Sequence, residues 1–316
     1  EMLNRRHLRI KVLQQLYAYT QGDNQNYVAA ERELLNSINR MYELYVLYLL
    51  VLPEIARQST IKIEDRKRKT RPSKEDLNPK LNFVDNKFIQ IIDANITLKS
   101  KSKNLKVDWV GDVKQDIIKK LLVHIEETEL FQEYLSIENP SFDQDKEFAL
   151  KLFKSEVCNF QLLLNFFDEE RVNWHDDYDH VFSMALKSIK SIKENEDEYA
   201  DFVMDLFKDD EEEYTKVLFR KTIMNIDSHT EMLGNYTKNW DAERLAKMDI
   251  LIMNLAITEA KEFSSIPLKV TLNEYIEISK FYSTPKSSTF INGVLDKVFE
   301  DLKSSGELKK IGRGLV

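Results

Sequence analysis

The 316-residue sequence has a single cysteine, Cys158, and only 7 glycines and 6 prolines. One cysteine excludes an intramolecular disulfide and a cysteine-based metal cluster, and it is typical of proteins from a reducing cytoplasm. Cys158 lies in the apolar run SEVCNFQLLL, where we expect an inert buried thiol rather than a nucleophile. Because so little glycine and proline leaves few turns, the sequence predicts an all-α fold, a helical bundle.

Long apolar segments are also missing. A membrane-spanning helix requires ~18 consecutive apolar residues, and the richest segment, Leu44 to Leu52, is about half that length. The first residues, EMLNRRHLRI, carry charges without an apolar segment behind them, so we expect no signal peptide. The sequence therefore predicts a cytoplasmic protein without a membrane partner.

The residue patterns of common catalytic sites are absent as well. There is no glycine-rich phosphate loop, no Ser-His or Cys-His arrangement and no zinc-ligand spacing. The run WHDDYDH at 174–180 offers pairs at helical spacing, such as His175 with Asp179 and Asp176 with His180, that suggest a metal or hydrolytic site. Without a second motif, an acidic helix start is the favoured interpretation. We expect neither an enzyme nor a metal or cofactor.

Charge is distributed unevenly along the chain. The net charge of −8 argues against a nucleic-acid partner. However, residues 57–106 contain 14 Lys or Arg against 6 Asp or Glu, whereas residues 168–213 contain 5 against 17. Because the two blocks mask each other in the total, an acidic protein can still present a basic face.

The segment 4–20 predicts a helix with an apolar stripe and basic residues outside it. Leu8, Val12 and Leu16 mark the stripe, Asn4 is a candidate N-cap, and the basic residues are Arg5, Arg6, Arg9 and Lys11. Cations at a helix N-terminus oppose the helix dipole, so we expect a compensating anion from outside, such as phosphate. The alternative is a solvated basic face on a core helix.

Residues 240–303 predict three consecutive helices. The first, AERLAKMDILIMNLAITEA, is apolar nearly all round, which is typical of a core helix packed on several sides. Asp241 is its candidate cap. Asp249 lies at the border of its apolar stripe, where a carboxylate needs a partner. The second helix is predicted to open at a capping box formed by Thr271 and Glu274.

The third helix of this stretch has Thr284 as its predicted cap and Pro285 at its first position. Its predicted buried face includes Phe290 and ends near Leu302. Gly293 lies in its middle, where a glycine costs roughly 1 kcal/mol, so we expect a packing reason for it.

This stretch resembles the NusB family of RNA-binding transcription antitermination factors. The matching residues are Trp240, Arg244, Asp249, the segment IPLKVTLNEYIEISKFY and the run FINGVLD at 290–296. The resemblance covers roughly residues 207–303 and an N-terminal segment with its arginines and Leu16-Tyr17. It implies a discontinuous NusB-like core of residues 1–22 and 207–304, a helical insert of residues 23–206 and a tail of residues 305–316.

Within the insert, the residue pattern predicts long helices and exposed basic loops. Helices are expected at 27–58, with a kink or break at Pro53, and at 107–133, 141–170 and 194–213. The basic runs within 61–106 are expected to be loops. They are either solvated or an additional electrostatic contact to RNA.

The resemblance also implies functional residues. Those expected to bind RNA are Arg5, Arg6 and Arg9 from the N-terminal arm and Lys280, Tyr282, Phe290 and Asn292 from the last helices. Core packing is the alternative role for Phe290. Tyr17 and Asp249 are expected to contact a protein partner. We expect the arginines and the Phe290 ring to share one groove.

The implied function is antitermination on ribosomal RNA transcripts. The protein would bind boxA-type single-stranded leader RNA together with the ribosomal small-subunit protein NusE, and would join the RNA polymerase antitermination complex. Asn254, Thr289 and Lys286 depart from residues that are frequent in the family. The alternatives are a ribosome-assembly or RNA-modification accessory, and a helical protein-docking scaffold without an RNA role.

Overall fold

All regular secondary structure in the part of the chain that the structure describes is helical, as the composition predicts. The structure is a computed structural model that describes residues 2–22, 26–170, 177–237, 246–308 and 310–311. The chain divides into two compact units: a first unit of Leu3–Ile38 with Leu206–Val316, and a second unit of Met2 with Asn39–Asp205. The insert limits of 23 and 206 stay a prediction.

The first unit is organised around one buried helix. Its helices are α1 (Arg5–Gln21), the beginning of α2 (Tyr27–Lys67), α11 (Glu211–Tyr236), α12 (Lys247–Glu262), α13 (Leu268–Tyr282) and α14 (Pro285–Ser304). Helix α12 packs against α1, α11, α13 and α14. Every residue from Leu251 to Ala260 is buried, so the prediction of a core helix packed on several sides is confirmed.

Helices α1 and α13 are connected by side-chain hydrogen bonds and run in the same direction. Arg6 pairs with Glu274, and the Gln14 amide donates to the Tyr282 hydroxyl at 3.1 Å. The two pairs are eight residues apart on both helices, a spacing that only parallel neighbours can share along their length. This arrangement sets the N-terminal turn of α1 beside the first half of α13.

Two of the predicted helix starts are confirmed. The Asn4 side chain accepts a hydrogen bond from the backbone N–H of His7 at 3.1 Å and caps α1. Helix α14 has Thr284 at its N-cap and Pro285 at its first position. Asp241, the predicted cap of the core helix, lies outside the described residues.

The predicted capping box of α13 is wrong. The helix begins at Leu268, directly after Pro267, and Thr271 and Glu274 therefore lie inside it. The Thr271 hydroxyl donates to Glu259 at 2.8 Å instead of capping a helix end. A long-range partner has replaced the local hydrogen bond that the Thr-x-x-Glu pattern suggests.

The second unit contains the remainder of α2 and eight further helices. These are α3 (Lys74–Leu77), α4 (Lys87–Ala94), α5 (Ile96–Leu105), α6 (Asp112–Glu126), α7 (Glu129–Ser136), α8 (Phe142–Leu152), α9 (Gln161–Glu170) and α10 (Tyr178–Lys190), with a π-helical turn at Phe153–Val157. Pro53 lies inside α2 and does not end it. The predicted helix at 107–133 is divided into α6 and α7, and the one at 141–170 is interrupted by the π-helical turn.

The prediction that the basic runs form loops is wrong for the second run, LKSKSKNLK, most of which belongs to α5. Asn95 caps this helix by accepting from the N–H of Leu98 at 2.8 Å, and Leu98 is buried. Lys106 ends the helix in the left-handed conformation, with φ of 57°. One apolar anchor and two end caps are enough to hold a lysine-rich segment helical.

The helix predicted at 194–213 is also wrong, because residues 191–210 form turns and extended segments. The backbone N–H of Met204 donates to the Tyr45 hydroxyl at 2.9 Å. The amide of Asn95 donates to the carbonyl of Ala200 at 2.8 Å. Because side chains from elsewhere in this unit satisfy the backbone, the segment buries its apolar residues without helical hydrogen bonds.

Cys158 follows the π-helical turn and is half-buried. Its thiol donates to the carbonyl of Lys154 at 2.7 Å, and burial raises the pKa of the thiol. Among the helices of the described ranges, none has both the length and the apolar content that crossing a bilayer requires.

His229 on α11 is a buried ionisable residue whose Nδ1 has no hydrogen-bond partner in the structure. Burial and the nearby Lys261 ammonium lower its pKa to about 4, against an ordinary value of 6.5. The folded state therefore binds fewer protons here than the unfolded state, so stability falls as pH drops through 6.5 towards 4.

We predict that wild type loses more stability than His229→Leu between pH 7 and pH 4, by up to ~3 kcal/mol. Urea unfolding followed by circular dichroism across this range measures the difference. His124→Gln, which changes a half-exposed histidine, is the control and is expected to follow wild type. Parallel pH profiles for wild type and His229→Leu would contradict this role for His229.

Candidate nucleic-acid interface

The N-terminal turn of α1, the α12–α13 loop and the first half of α13 enclose a cavity of about 580 Å³, which we call the arginine pocket. The residues that line it are Asn4, Arg5, Arg6, Arg9, Ser265, Ile266, Pro267, Val270 and Glu274. The structure thus brings together the three arginines for which the family resemblance implies RNA binding.

Arg5 and Arg6 are held at the mouth of the pocket by carboxylates. Arg6 donates from Nε and Nη2 to both oxygens of Glu274, at 2.8 and 2.7 Å. These hydrogen bonds raise the pKa of Arg6 and lower that of Glu274. Arg5 donates to Asp210 at 2.8 Å, and its guanidinium lies 4.9 Å from the centre of the Tyr214 ring. The side chains of Arg5 and Arg6 are 33% and 45% exposed, so both cations stay accessible to a ligand.

Arg9 occupies a different place from the one that the sequence predicts. It is only 3% exposed, and its Nε and Nη2 donate to the two oxygens of Glu259 at 2.7 and 2.9 Å. Burial lowers the pKa of this guanidinium, but the hydrogen bonds to the Glu259 carboxylate and its charge more than reverse the effect, so the pKa is raised. A buried guanidinium that is already paired cannot reach RNA, which is at odds with the predicted role of Arg9.

Glu259 on α12 is the acceptor on which three other helices of the first unit converge. Besides the guanidinium of Arg9 on α1, it accepts hydrogen bonds from the hydroxyls of Tyr214 on α11, Thr271 on α13 and Tyr275 on α13. Burial and the Glu259 charge raise the pKa of both tyrosines well above the ordinary value, so both hydroxyls stay protonated and donate. The carboxylate carries no exposed surface, and its charge is balanced within the chain.

These contacts also correct the expectation of an external anion at the start of α1. The negative charge that offsets the arginines comes from Asp210, Glu259 and Glu274. The sequence separates these carboxylates from the arginines by more than 200 residues, so no local pattern reveals them.

A second cavity, of about 510 Å³, lies along α14. The residues that line it are Tyr236, Lys286, Thr289, Phe290, Gly293, Val294 and Lys297. Phe290 is 9% exposed, and Asn292 is half-buried. Since the arginines and Phe290 line separate cavities with no residue in common, the predicted shared groove is not what the structure contains. Helix α13 packs against α14 and contacts α1 through the Arg6–Glu274 and Gln14–Tyr282 hydrogen bonds.

The remaining predicted site residues lie at three different places. Tyr17 on α1 is 39% exposed. Lys280 is exposed near the end of α13 and forms an ion pair with Glu277, whereas the Tyr282 hydroxyl faces α1.

The position of Asp249 does not fit the predicted contact with a protein partner. It is 4% exposed, lies in the first turn of α12 and accepts a hydrogen bond from Ser283. A carboxylate at a helix N-terminus is favoured by the helix dipole. The charge of Asp249 is therefore accommodated inside the chain.

Sequence reasoning missed Phe281, which is 80% exposed. It follows Glu274 by seven residues and Glu277 by four, and this spacing places all three side chains on one face of α13. The helical period could therefore have assigned Phe281 to the solvent face.

Some predicted residues lie outside the described part of the chain. They are Trp240 and Arg244 of the family-like stretch and residues 174–176 of the His-Asp cluster. Within the described ranges, no group of three or more His, Cys, Asp or Glu side chains is placed to hold a metal ion.

Gly293 has no packing reason within the chain. A Cβ built on it meets no atom within 4 Å, and the residue is exposed on the wall of the second cavity. The prediction that close helix packing explains this glycine is wrong.

Comparison with known proteins gives one family. The NusB family model matches residues 179–300, a stretch that begins in α10 and does not include α1. No solved structure matches the chain.

Three relatives each carry the name transcription antitermination protein NusB. The protein of Salinibacter ruber is 40% identical over 104 residues, which are 33% of this chain and 65% of the relative. The protein of Chloroherpeton thalassium is 45% identical over 96 residues, 30% of this chain and 44% of the relative. The protein of Clostridium botulinum is 39% identical over 114 residues, 36% of this chain and 81% of the relative. The chain thus spans less than two thirds of the first two relatives.

We predict strong energetic coupling between Arg9 and Glu259. Arg9→Met and Glu259→Gln should each cost about 3–5 kcal/mol, because each leaves a buried charge without its partner, whereas the double variant should cost less than the sum. Denaturant unfolding of the four proteins measures the coupling. Arg220 and Glu31 form a partly exposed ion pair in the same unit. The same comparison of single and double variants at this pair should give a coupling energy of at most about 1 kcal/mol. If the stability losses of Arg9→Met and Glu259→Gln simply add in the double variant, the predicted coupling between the two residues is wrong.

We also predict that Gly293→Ala stabilises the protein by about 0.5–1 kcal/mol, because alanine favours a helix and the added Cβ meets nothing. Thermal unfolding measures the gain. A Cβ built on Gly234 in α11 also meets no atom within 4 Å, so Gly234→Ala should give a similar gain in stability. A loss of stability in Gly293→Ala alone would indicate a packing contact at Gly293.

Proposed function

This chain belongs to the NusB family, and from that premise we propose that it is a transcription antitermination factor that binds single-stranded RNA at the arginine pocket. The observation that supports this most directly is the placement of two partly exposed guanidinium groups, Arg5 and Arg6, at one end of the first unit. Guanidinium is the group that proteins use most readily for planar contacts to phosphate.

The carboxylates behind the arginines act as positioning residues in this proposal. Because Glu274 fixes Nε and Nη2 of Arg6, the guanidinium loses little conformational freedom when its outer edge meets a phosphate. Arg5 is held in the same way by Asp210 and by the ring of Tyr214. Arg9 contributes by fixing α1 rather than by touching RNA.

The RNA that we propose is a boxA-type leader of ribosomal RNA transcripts, bound together with the small-subunit protein NusE and delivered to RNA polymerase. Tyr17 is the candidate contact to the protein partner, since it is the predicted partner residue that is exposed. Lys280, Tyr282, Phe290 and Asn292 stay candidates for binding RNA. Of these, Lys280 is the one whose side chain is exposed.

The second unit offers a separate basic surface. Lys99, Lys103 and Lys106 are exposed and recur at intervals of four and three residues, so they follow one face of α5 and its end. In this proposal, these lysines would add salt-sensitive affinity for RNA without sequence preference.

We predict that Arg5→Gln/Arg6→Gln weakens binding of a single-stranded boxA-type RNA and reduces the salt slope of log affinity by roughly 0.7 for each phosphate that is no longer neutralised. Fluorescence anisotropy of labelled RNA, titrated with the protein at several salt concentrations, measures both quantities. Arg32→Gln, at an exposed arginine in the same unit, is the matched control and should leave the slope unchanged.

The outcomes separate the candidate functions. If the salt dependence of log affinity is equal for wild type and for the double variant, the arginine pocket is not part of the RNA-binding site. No RNA binding by wild type, with or without the ribosomal protein, would instead favour the docking scaffold.

A further inference from the structure

Phe281 is the most exposed large apolar side chain among the residues for which exposure is described. It lies in the last turn of α13 and is 80% exposed. Single exposed apolar residues are common on proteins and require no explanation by themselves. What distinguishes Phe281 is its position relative to the arginine pocket.

One face of α13 connects Phe281 to that pocket. Val270, Glu274, Glu277 and Phe281 follow each other at intervals of four, three and four residues, so their side chains lie on a single stripe. Val270 and Glu274 line the pocket. At a rise of ~1.5 Å per residue, Phe281 lies about 10 Å along the helix from the residue that holds Arg6.

The charges along this stripe permit a polyanion to follow it. The Glu274 carboxylate is covered by Arg6 and by Arg9, whose Nη1 lies 3.5 Å from it. Glu277 is paired with Lys280, which is exposed beside Phe281. Each carboxylate of the stripe is therefore paired with a cation within the chain.

We propose that Phe281 is a stacking platform for one base of the single-stranded RNA whose phosphates bind Arg5 and Arg6. This inference rests on the proposed function and extends it from electrostatic attraction to base recognition. Aromatic side chains beside cationic grooves are the means by which proteins hold unpaired bases, because every base offers a flat face to the ring.

The spacing fits a short strand. A stacked strand advances ~3.4 Å per nucleotide, so about 10 Å corresponds to about three nucleotides between the clamped phosphate and the stacked base, and to fewer if the strand is extended. The platform is therefore within reach of an RNA that is already held at the arginine pocket.

The test is a titration of labelled single-stranded RNA against wild type, Phe281→Ala, Phe281→Leu and Phe281→Trp. Loss of the ring in the alanine and leucine variants should weaken binding about 5- to 100-fold, and tryptophan should restore it. The salt slope should stay that of wild type, because no group that neutralises a phosphate is removed. Met224→Ala, at a residue of α11 that is 70% exposed, is the matched control and should bind like wild type.

A second measurement uses RNAs that each carry one abasic nucleotide. At the position that stacks on Phe281, the abasic RNA should bind wild type and Phe281→Ala with equal affinity, whereas at other positions the difference should persist. Circular dichroism and thermal unfolding check that the variants are folded, as expected for a substitution at an exposed position.

The outcomes distinguish this inference from the proposed function. If wild type binds RNA with a salt slope that depends on Arg5 and Arg6 but Phe281→Ala binds equally well, the stacking platform is wrong and the proposed function stands. If Phe281→Ala loses binding of the ribosomal protein but not of RNA, Phe281 binds protein and the inference is also overturned. If wild type does not bind RNA, both fail.

Discussion

The ion pair between Arg9 and Glu259 is the interaction on which the first unit depends, because both groups are buried and neither can be left without the other. Removing two charges from water is costly, and the cost is offset only when geometry and hydrogen bonding are nearly complete. Here the guanidinium binds both carboxylate oxygens, and three hydroxyls supply the remaining donors. These donors come from helices that are widely separated in sequence, so satisfying one carboxylate fixes α1, α11 and α13 around α12.

The same constraint determines which arginines are available to a ligand. Three arginines lie in the first turns of α1, and one of them is buried. Arg9 is the buried one, and Arg5 and Arg6 lie at the surface, where Asp210 and Glu274 hold them. The carboxylates orient the cations and also limit the local excess of positive charge. A ligand that binds there has to compete for, or share, guanidinium groups that are already engaged, which favours a polyanion with several phosphates over a single anion.

Helix α13 has a second effect on the proposed interface. It carries Glu274, which lines the arginine pocket, and it presents Phe281 on the stripe that continues from that pocket, whereas Phe290 of α14 lines a separate cavity. The aromatic interaction with RNA that the family resemblance assigns to Phe290 is therefore supplemented in our proposal by a ring at a position that the resemblance does not assign. The region around Gly293 is an open surface with two lysines at its edge, in a cavity distinct from the arginine pocket.

The sequence alone determined the features that depend on neighbours within a few turns. The helical class follows from composition, the burial of α12 from apolar residues on all its sides, and two helix starts from Asn4 and from Thr284 with Pro285. Local patterns failed where a distant group took over the hydrogen bond, as at Thr271 and in the segment 191–210. Only the tertiary structure decided that Arg9 is buried while Arg5 and Arg6 are exposed, and that Asp249 is satisfied within the chain. The physical reason is that burial and ion pairing depend on which side chains meet between distant positions of the sequence, and no helical period encodes that meeting.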